Sequence, residues 1–296
     1  MKKILALILT LFISTAANTA ELNDVLDNVY KKASKSIEGY TNNLISGQGD
    51  TEVSIIKKNN ENTEISIMVV RPLEIQDDNV LFYQGQISRY DDVNKLSRQA
   101  LNTGLGYRKL SDDGSYFSGV NTFFDIDSKK NYRAGFGFEV RSSSFELNGN
   151  YYHKLSGTVK DGDEKSRVLN GHDITAVGQA PYLPWIDLSL SSYEWVADKN
   201  SINSKGEVIK GQFYLTKSLT LEAGLDDNNI TLEDNFFRLT YVYPSKDRTT
   251  LQDGFISSNA FENSDVRKEM LTKIKRSNKI VLEVEASGVV ISNGNS

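Results

Sequence analysis

The sequence predicts an all-β fold: a twelve-stranded antiparallel transmembrane β-barrel, with a short N-terminal helix before it and a linker helix after it. Three observations lead there. After residue 20 no apolar stretch approaches the roughly twenty residues that a spanning helix needs. From Thr51 to Tyr243 hydrophobicity alternates with period two. The connections there sort by parity, tight turns alternating with longer polar loops, as in barrels with short periplasmic turns and long external loops. Composition adds limits. With 39% hydrophobic and 25% charged residues the chain is not disordered. Four prolines and fourteen tyrosines suit long ladder-forming strands with aromatic ends. A net charge of −5 without a basic patch argues against nucleic acid as a partner, and the absence of cysteine excludes thiol chemistry.

Residues 1–20 read as a signal peptide. Lys2 and Lys3 supply positive charge, Ile4 to Ile13 is an apolar run too short to anchor, and Ser14 to Ala20 is rich in small residues. Cleavage is expected after Ala20, with Ala17 as the other candidate. Residues 21–50 read as a periplasmic amphipathic helix, from Glu21 to about Ser46. Leu22, Val25, Leu26, Val29, Ala33 and Ile37 recur near 3.6-residue spacing, and Gly47-Gln48-Gly49 ends it.

Residues 51–243 contain the barrel. Twelve segments are expected, at about 51–58, 64–71, 79–89, 99–109, 115–125, 131–141, 144–154, 170–179, 186–196, 206–215, 218–226 and 235–243. Leu101, Thr103, Leu105 and Tyr107 share one face; Asn102, Gly104, Gly106 and Arg108 share the other. The same phase puts Asn102, Arg108, Asn121, Asp125, Glu139, Arg141, Asn148, Asn150, Asp173 and Glu194 in the lumen as pore-lining residues. Tyr107, Tyr116, Tyr151, Tyr193, Trp195 and Tyr241 are candidates for the aromatic girdles. Loop parity has exceptions: the turn at 72–78 is longer than its class, and the loops at 59–63 and 126–130 are shorter than theirs.

An even strand number puts both barrel ends on one side, so residues 244–296 start in the periplasm as a linker or tail. Within it, Asn263 to Ser277 reads as a basic amphipathic helix: Val266, Met270, Leu271 and Ile274 lie among Arg267, Lys268, Lys273, Lys275 and Arg276. Lys279 to Glu285 alternates again. The tail either stays periplasmic or threads the pore, where a basic segment would meet Asp125, Glu139, Asp173 and Glu194 in a shielded space. No enzymatic site, metal or cofactor is expected. The only histidines are His153 and His172, and His172 and its neighbour Asp173 point to opposite faces of a strand.

Asn79-Val80-Leu81-Phe82-Tyr83-Gln84, Leu101-Asn102-Thr103-Gly104-Leu105-Gly106-Tyr107-Arg108 and Gly119-Val120-Asn121-Thr122-Phe123-Phe124-Asp125 together resemble the inverse autotransporter β-domain of intimins and invasins. Asn170-Gly171-His172-Asp173-Ile174, Tyr182-Leu183-Pro184 and, in the tail, Lys275-Arg276-Ser277-Asn278-Lys279-Ile280-Val281-Leu282-Glu283 continue the likeness, which covers roughly residues 45–285. The resemblance implies a translocator and anchor barrel of the outer membrane whose linker re-enters the pore and carries an adhesin passenger outward, a form of type V secretion. It implies outer-membrane lipid, periplasmic chaperones and the barrel-assembly machinery as partners. About a dozen residues follow Glu283, so the adhesin passenger is expected to be essentially absent here or separately encoded. A porin-like diffusion channel is the alternative expectation.

Overall fold

The computed structural model describes residues 48–58, 63–91, 97–199, 202–230, 234–254, 256–286 and 289–292. The expected signal peptide and most of the expected N-terminal helix lie outside these residues; Gln48 to Asp50 are not helical.

Sixteen strands are described. In chain order they are β1 (Thr51–Lys58), β2 (Glu64–Ile75), β3 (Asn79–Asp91), β4 (Ser97–Leu110), β5 (Tyr116–Asp127), β6 (Tyr132–Ser142), β7 (Phe145–Lys154), β8 (Val159–Asp161), β9 (Glu164–Val168), β10 (Asn170–Ala180), β11 (Leu183–Val196), β12 (Ser204–Tyr214), β13 (Leu219–Asn228), β14 (Asp234–Tyr243), β15 (Leu282–Ala286) and β16 (Val289–Ser292). Twelve of them close an antiparallel barrel in the order β1-β14-β13-β12-β11-β10-β7-β6-β5-β4-β3-β2. The seam is an unbroken ladder from Thr51 opposite Tyr243 to Lys58 opposite Phe236. Every barrel strand therefore has a neighbour on both sides, the arrangement a bilayer demands of a sheet.

Alternation decides which side chains meet lipid. In β4 and β5 exposed and buried residues alternate almost without exception. Val120 and Phe136 are 60% and 55% exposed, and Leu105, Tyr107, Phe138, Tyr151, Ile174, Leu188, Ile209 and Phe237 are likewise exposed. An apolar exterior of this extent exceeds what a water-soluble monomer carries.

The long turn at 72–78 has a physical cause. Pro72 cannot donate to the ladder, and the β2–β3 register shifts between Pro72 and Glu74. The bulge lets β2 run on to Ile75, so the actual turn is only residues 76–78. The tight connections at 76–78, 111–115, 143–144, 181–182 and 215–218 all lie at one end, here the turn end. The opposite, loop end carries a second sheet. The connection expected as a long polar loop at 155–169 holds β8 and β9, which join β15 and β16 in the order β16-β15-β9-β8.

The expected linker helix is not present. Of residues 263–277 only Val266–Glu269 forms a turn, of 3₁₀ type, with Asp265 as its N-cap. The chain beyond it is irregular up to β15, because its backbone groups are engaged by barrel side chains rather than by one another. Before that turn, residues 244–254 and 256–262 run as a strap along the turn end. Lys246 N–H donates to Lys217 O, Leu251 N–H to Tyr214 O and Ser257 N–H to Tyr182 O. Tyr182, held at φ 64°, donates its own N–H to Ala260 O.

A charge on the outer face tests the assignment of faces. Val120→Arg is expected to cost about 2–4 kcal/mol of folding stability in lipid vesicles, measured by urea unfolding, as for a charge near the bilayer midplane. The same change at Ser115, in a turn, should cost little.

Candidate functional site

The lumen is occupied by the chain's own tail. From Met270 at the turn end to Ile280 near the loop end, this segment meets wall side chains at successive depths. Because its backbone belongs to no ladder there, its polar groups require other partners. Arg108 Nη1 donates to Met270 O (2.9 Å) and Thr272 O (2.8 Å). Gln84 accepts from Ile274 N–H at 2.8 Å, and Asn150 donates to Lys275 O at 3.0 Å. Arg133 donates to Ser277 O (2.8 Å) and Lys279 O (3.1 Å). Ser277 N–H donates to the Tyr152 hydroxyl at 2.7 Å, and Asn102 donates to Asn278 O at 2.9 Å.

Charge follows the same path. Lys273 meets Glu52 at 2.7 Å, Lys275 meets Glu146 at 2.5 Å and Lys279 meets Glu64 at 3.2 Å. Arg276 spans both oxygens of Asp125, at 3.0 and 2.7 Å, and lies over the Phe123 ring at 4.1 Å. Asp125, fully buried, also accepts from Arg133 at 2.8 Å and Asn102 at 2.8 Å. This carboxylate thus balances two guanidiniums in a space where an unpaired charge would be costly. Gly135 makes room for the arrangement: a Cβ there would lie 2.9 Å from Arg276 Nη2.

Apolar clusters close the lumen at both ends of this ladder. Val70, Val80, Phe82, Leu110, Phe117 and Phe123 pack on tail residues Val266, Met270 and Ile274 at the turn end. Tyr152, Leu169, Tyr193, Trp195, Val208 and Phe236 pack on Val281 towards the loop end. Beside tail residues 273–279 a cavity of about 190 Å³ remains against β1–β3 and β10–β14; Glu222 there pairs with Lys210 and Arg238.

Of the sequence-predicted lining residues, Asn102, Arg108, Asn121, Asp125, Glu139, Asn148, Asn150 and Asp173 are buried on the inward face. Their partners differ from the expected ones in several cases. Glu139 forms a two-point pair with wall Arg108, at 2.8 and 3.0 Å, and Asp173 accepts from Asn150 and Tyr152. Arg141 lies near the turn end and reaches tail Glu269 at 2.9 Å. Glu194 is a correction: it faces outward and accepts from Asn203 at 2.7 Å. Its neighbours Tyr193 and Trp195, expected in the girdle, are the inward ones, 3% and 0% exposed. Sequence reasoning missed Glu52, Glu64, Glu146, Gln84 and Arg133, all ladder partners. Glu146 was already in phase with Asn148 and Asn150, and Arg133 with Gly135 and Gly137.

A family model described as "Inverse autotransporter, beta-domain" matches residues 10–233. The uncharacterized protein YchO of Escherichia coli (strain K12) is 28% identical over 107 residues, which is 36% of this chain and 23% of that protein. A solved structure from work on in-meso crystallization of membrane proteins aligns with a TM-score of 0.64 at 20% identity, covering 80% of this chain and 99% of the other. An outer membrane channel from Pseudomonas putida F1 aligns at a TM-score of 0.48 and 6% identity, covering 66% and 96%.

Removing the shared counter-charge tests the ladder. Asp125→Ala leaves Arg133 and Arg276 buried without a carboxylate, and should cost about 3–5 kcal/mol in urea unfolding. Asp125→Asn, which keeps the shape and one acceptor, should lie between that variant and the parent.

Proposed function

The chain belongs to the inverse autotransporter β-domain family and resides in the outer membrane, and from that premise we propose that it is a translocator and anchor barrel whose exported segment is its own tail. The observation that carries this reading is the continuous path of the tail. It leaves β14 at the turn end, runs along that end as a strap, crosses the lumen, and joins a sheet at the loop end. With the turn end in the periplasm, as in barrels of this kind, the tail's far end stands on the cell surface. The reading places any passenger beyond β16, whether on this chain or supplied separately.

A signal peptide at residues 1–20, periplasmic chaperones and the barrel-assembly machinery complete the proposed route. The lumen supports a stop at the threaded state. A chain passing through it would have to break wall contacts at many depths, and the native tail forms them all at once. The anchor role follows from the same contacts, because whatever is joined to the tail is held by the barrel.

Small-ion diffusion is the second reading, motivated by the cavity beside the tail and its charged lining of Glu52, Lys210, Glu222 and Arg238. Conductance separates the two. The full chain in a planar bilayer should pass little current, and a version ending at Pro244 should pass much more. Equal, large conductance in both would favour the pore.

Topology has its own test. Ser292→Cys should react with a membrane-impermeant maleimide on intact cells. Reaction only after the outer membrane is disrupted would refute export of the tail.

A further inference from the structure

The sheet at the loop end contains a feature the export reading does not require. β9 is fixed to the barrel by contacts that exclude the tail. Arg98 of β4, wholly buried, donates to Glu164 at 2.5 Å and to Asp127 at 3.1 Å. Asn131, in the β5–β6 connection, donates to Ser166 at 3.2 Å and to Asp127 at 2.9 Å. β8 covers one edge of β9, and Lys129 pairs with Asp161 at the end of β8. The other edge of β9 is therefore a rigid strand edge, presented beside the mouth through which the tail emerges.

The tail fits that edge residue by residue. β15 pairs antiparallel with β9, from Leu282 opposite Val168 to Ala286 opposite Glu164. Opposed residues share a face. On one face Glu285 meets Lys165 at 3.1 Å and Arg167 at 3.0 Å, and Arg167 lies 3.7 Å from Glu283. On the other, Val168 packs with Ile280, Leu282 and Val284. Glu283, fully buried, accepts the backbone N–H of Asp198 and of Lys199, which ties the β11–β12 connection to the same strand. Hydrogen bonds from Arg167 and Lys165 hold the Glu285 carboxyl below its ordinary range. Moving β15 by one residue would put Glu283 and Glu285 on the apolar face and Leu282 and Val284 on the charged one.

We propose that β9 is a docking strand that captures the emerging tail in one register and holds it on the outer side of the barrel. The proposal rests on the export reading. Its chemistry is that of strand addition to a preformed edge: main-chain hydrogen bonds supply affinity, and alternating charged and apolar positions supply register. The recognised sequence is Leu282-Glu283-Val284-Glu285, an acidic and apolar alternation read by Lys165, Arg167 and Val168.

A charge reversal with its compensation tests this in whole cells. In the full chain carrying Ser292→Cys, the appearance of maleimide-reactive tail on intact cells is followed after a pulse of synthesis. Lys165→Glu with Arg167→Glu should slow or reduce it by roughly three- to tenfold, as expected for opposed like charges on paired strands. Adding Glu285→Arg should restore most of it. Heat-modifiable gel migration verifies in each case that the barrel has closed. Unchanged labelling in the reversed variant would overturn the docking role while leaving export intact, and a loss that Glu285→Arg does not repair would overturn the register-specific pairing. Failure of the parent Ser292→Cys chain to label at all would instead defeat the export reading. As a second measurement, Ser166→Cys with Val284→Cys should form a disulfide in the folded protein, and Ser166→Cys with Glu283→Cys should not; equal cross-linking of both pairs would also overturn the proposal.

Discussion

A backbone removed from water must have its N–H and C=O groups met, and this molecule meets that constraint in two different ways. In the wall it closes a ladder on itself, so that lipid sees only side chains. In the lumen no ladder is possible, because the wall strands have spent both edges on each other. The tail there is satisfied by long side chains reaching inward: two arginines, three amides and a tyrosine take backbone groups between Met270 and Lys279. The inward residues of β3–β7 are therefore polar for a structural reason. They are the hydrogen-bonding partners of an irregular segment that lies across the sheet rather than in it.

The ladder also holds the tail in one register. Each rung is chemically distinct and sits at its own depth, with Lys273 on Glu52, Lys275 on Glu146, Arg276 on Asp125 and Lys279 on Glu64. A slip along the pore axis would break several rungs together and leave charges apart in a poorly solvated space. Buried ion pairs contribute little net stability against an apolar alternative, but leaving one partner alone is strongly unfavourable. That asymmetry suits a device that must select one position among many similar ones. The apolar clusters at either end add cohesion without register.

Much of the wall was legible in the sequence, because a two-residue period facing lipid is imposed by elementary geometry and tolerates few exceptions. The twelve expected segments coincide with the twelve wall strands, and the single long exception to turn length traces to Pro72. The failures have physical causes too. Polarity alone puts Glu194 inward, but near the loop end of β11 the usual code reverses: the outer face meets water and the inner face meets the apolar packing around Tyr193 and Trp195. Val266, Met270 and Ile274 are four residues apart, a spacing shared by one helix face and by an extended chain, since four is a multiple of two. All three do face one cluster, but from a 3₁₀ turn and an irregular segment. The choice between the two conformations lay with Arg108, Gln84 and Arg133, residues distant in sequence that no local pattern reveals.

The antiparallel pairing of β15 with β9, and of β16 with β15, has a mechanical reading. Tension applied beyond Ser292 would load the β15–β16 hairpin at its open end, where Glu283 faces Ser292, so its pairs would yield one at a time at low force. The load would then pass to Ala286. There β15 is paired with Glu164, which Arg98 of β4 holds to the wall, and at its other end β9 runs on through Val168 into β10. β9 is therefore held to the wall at both of its ends. The sheet at the loop end thus joins a hairpin that opens pair by pair to a strand fixed to the wall.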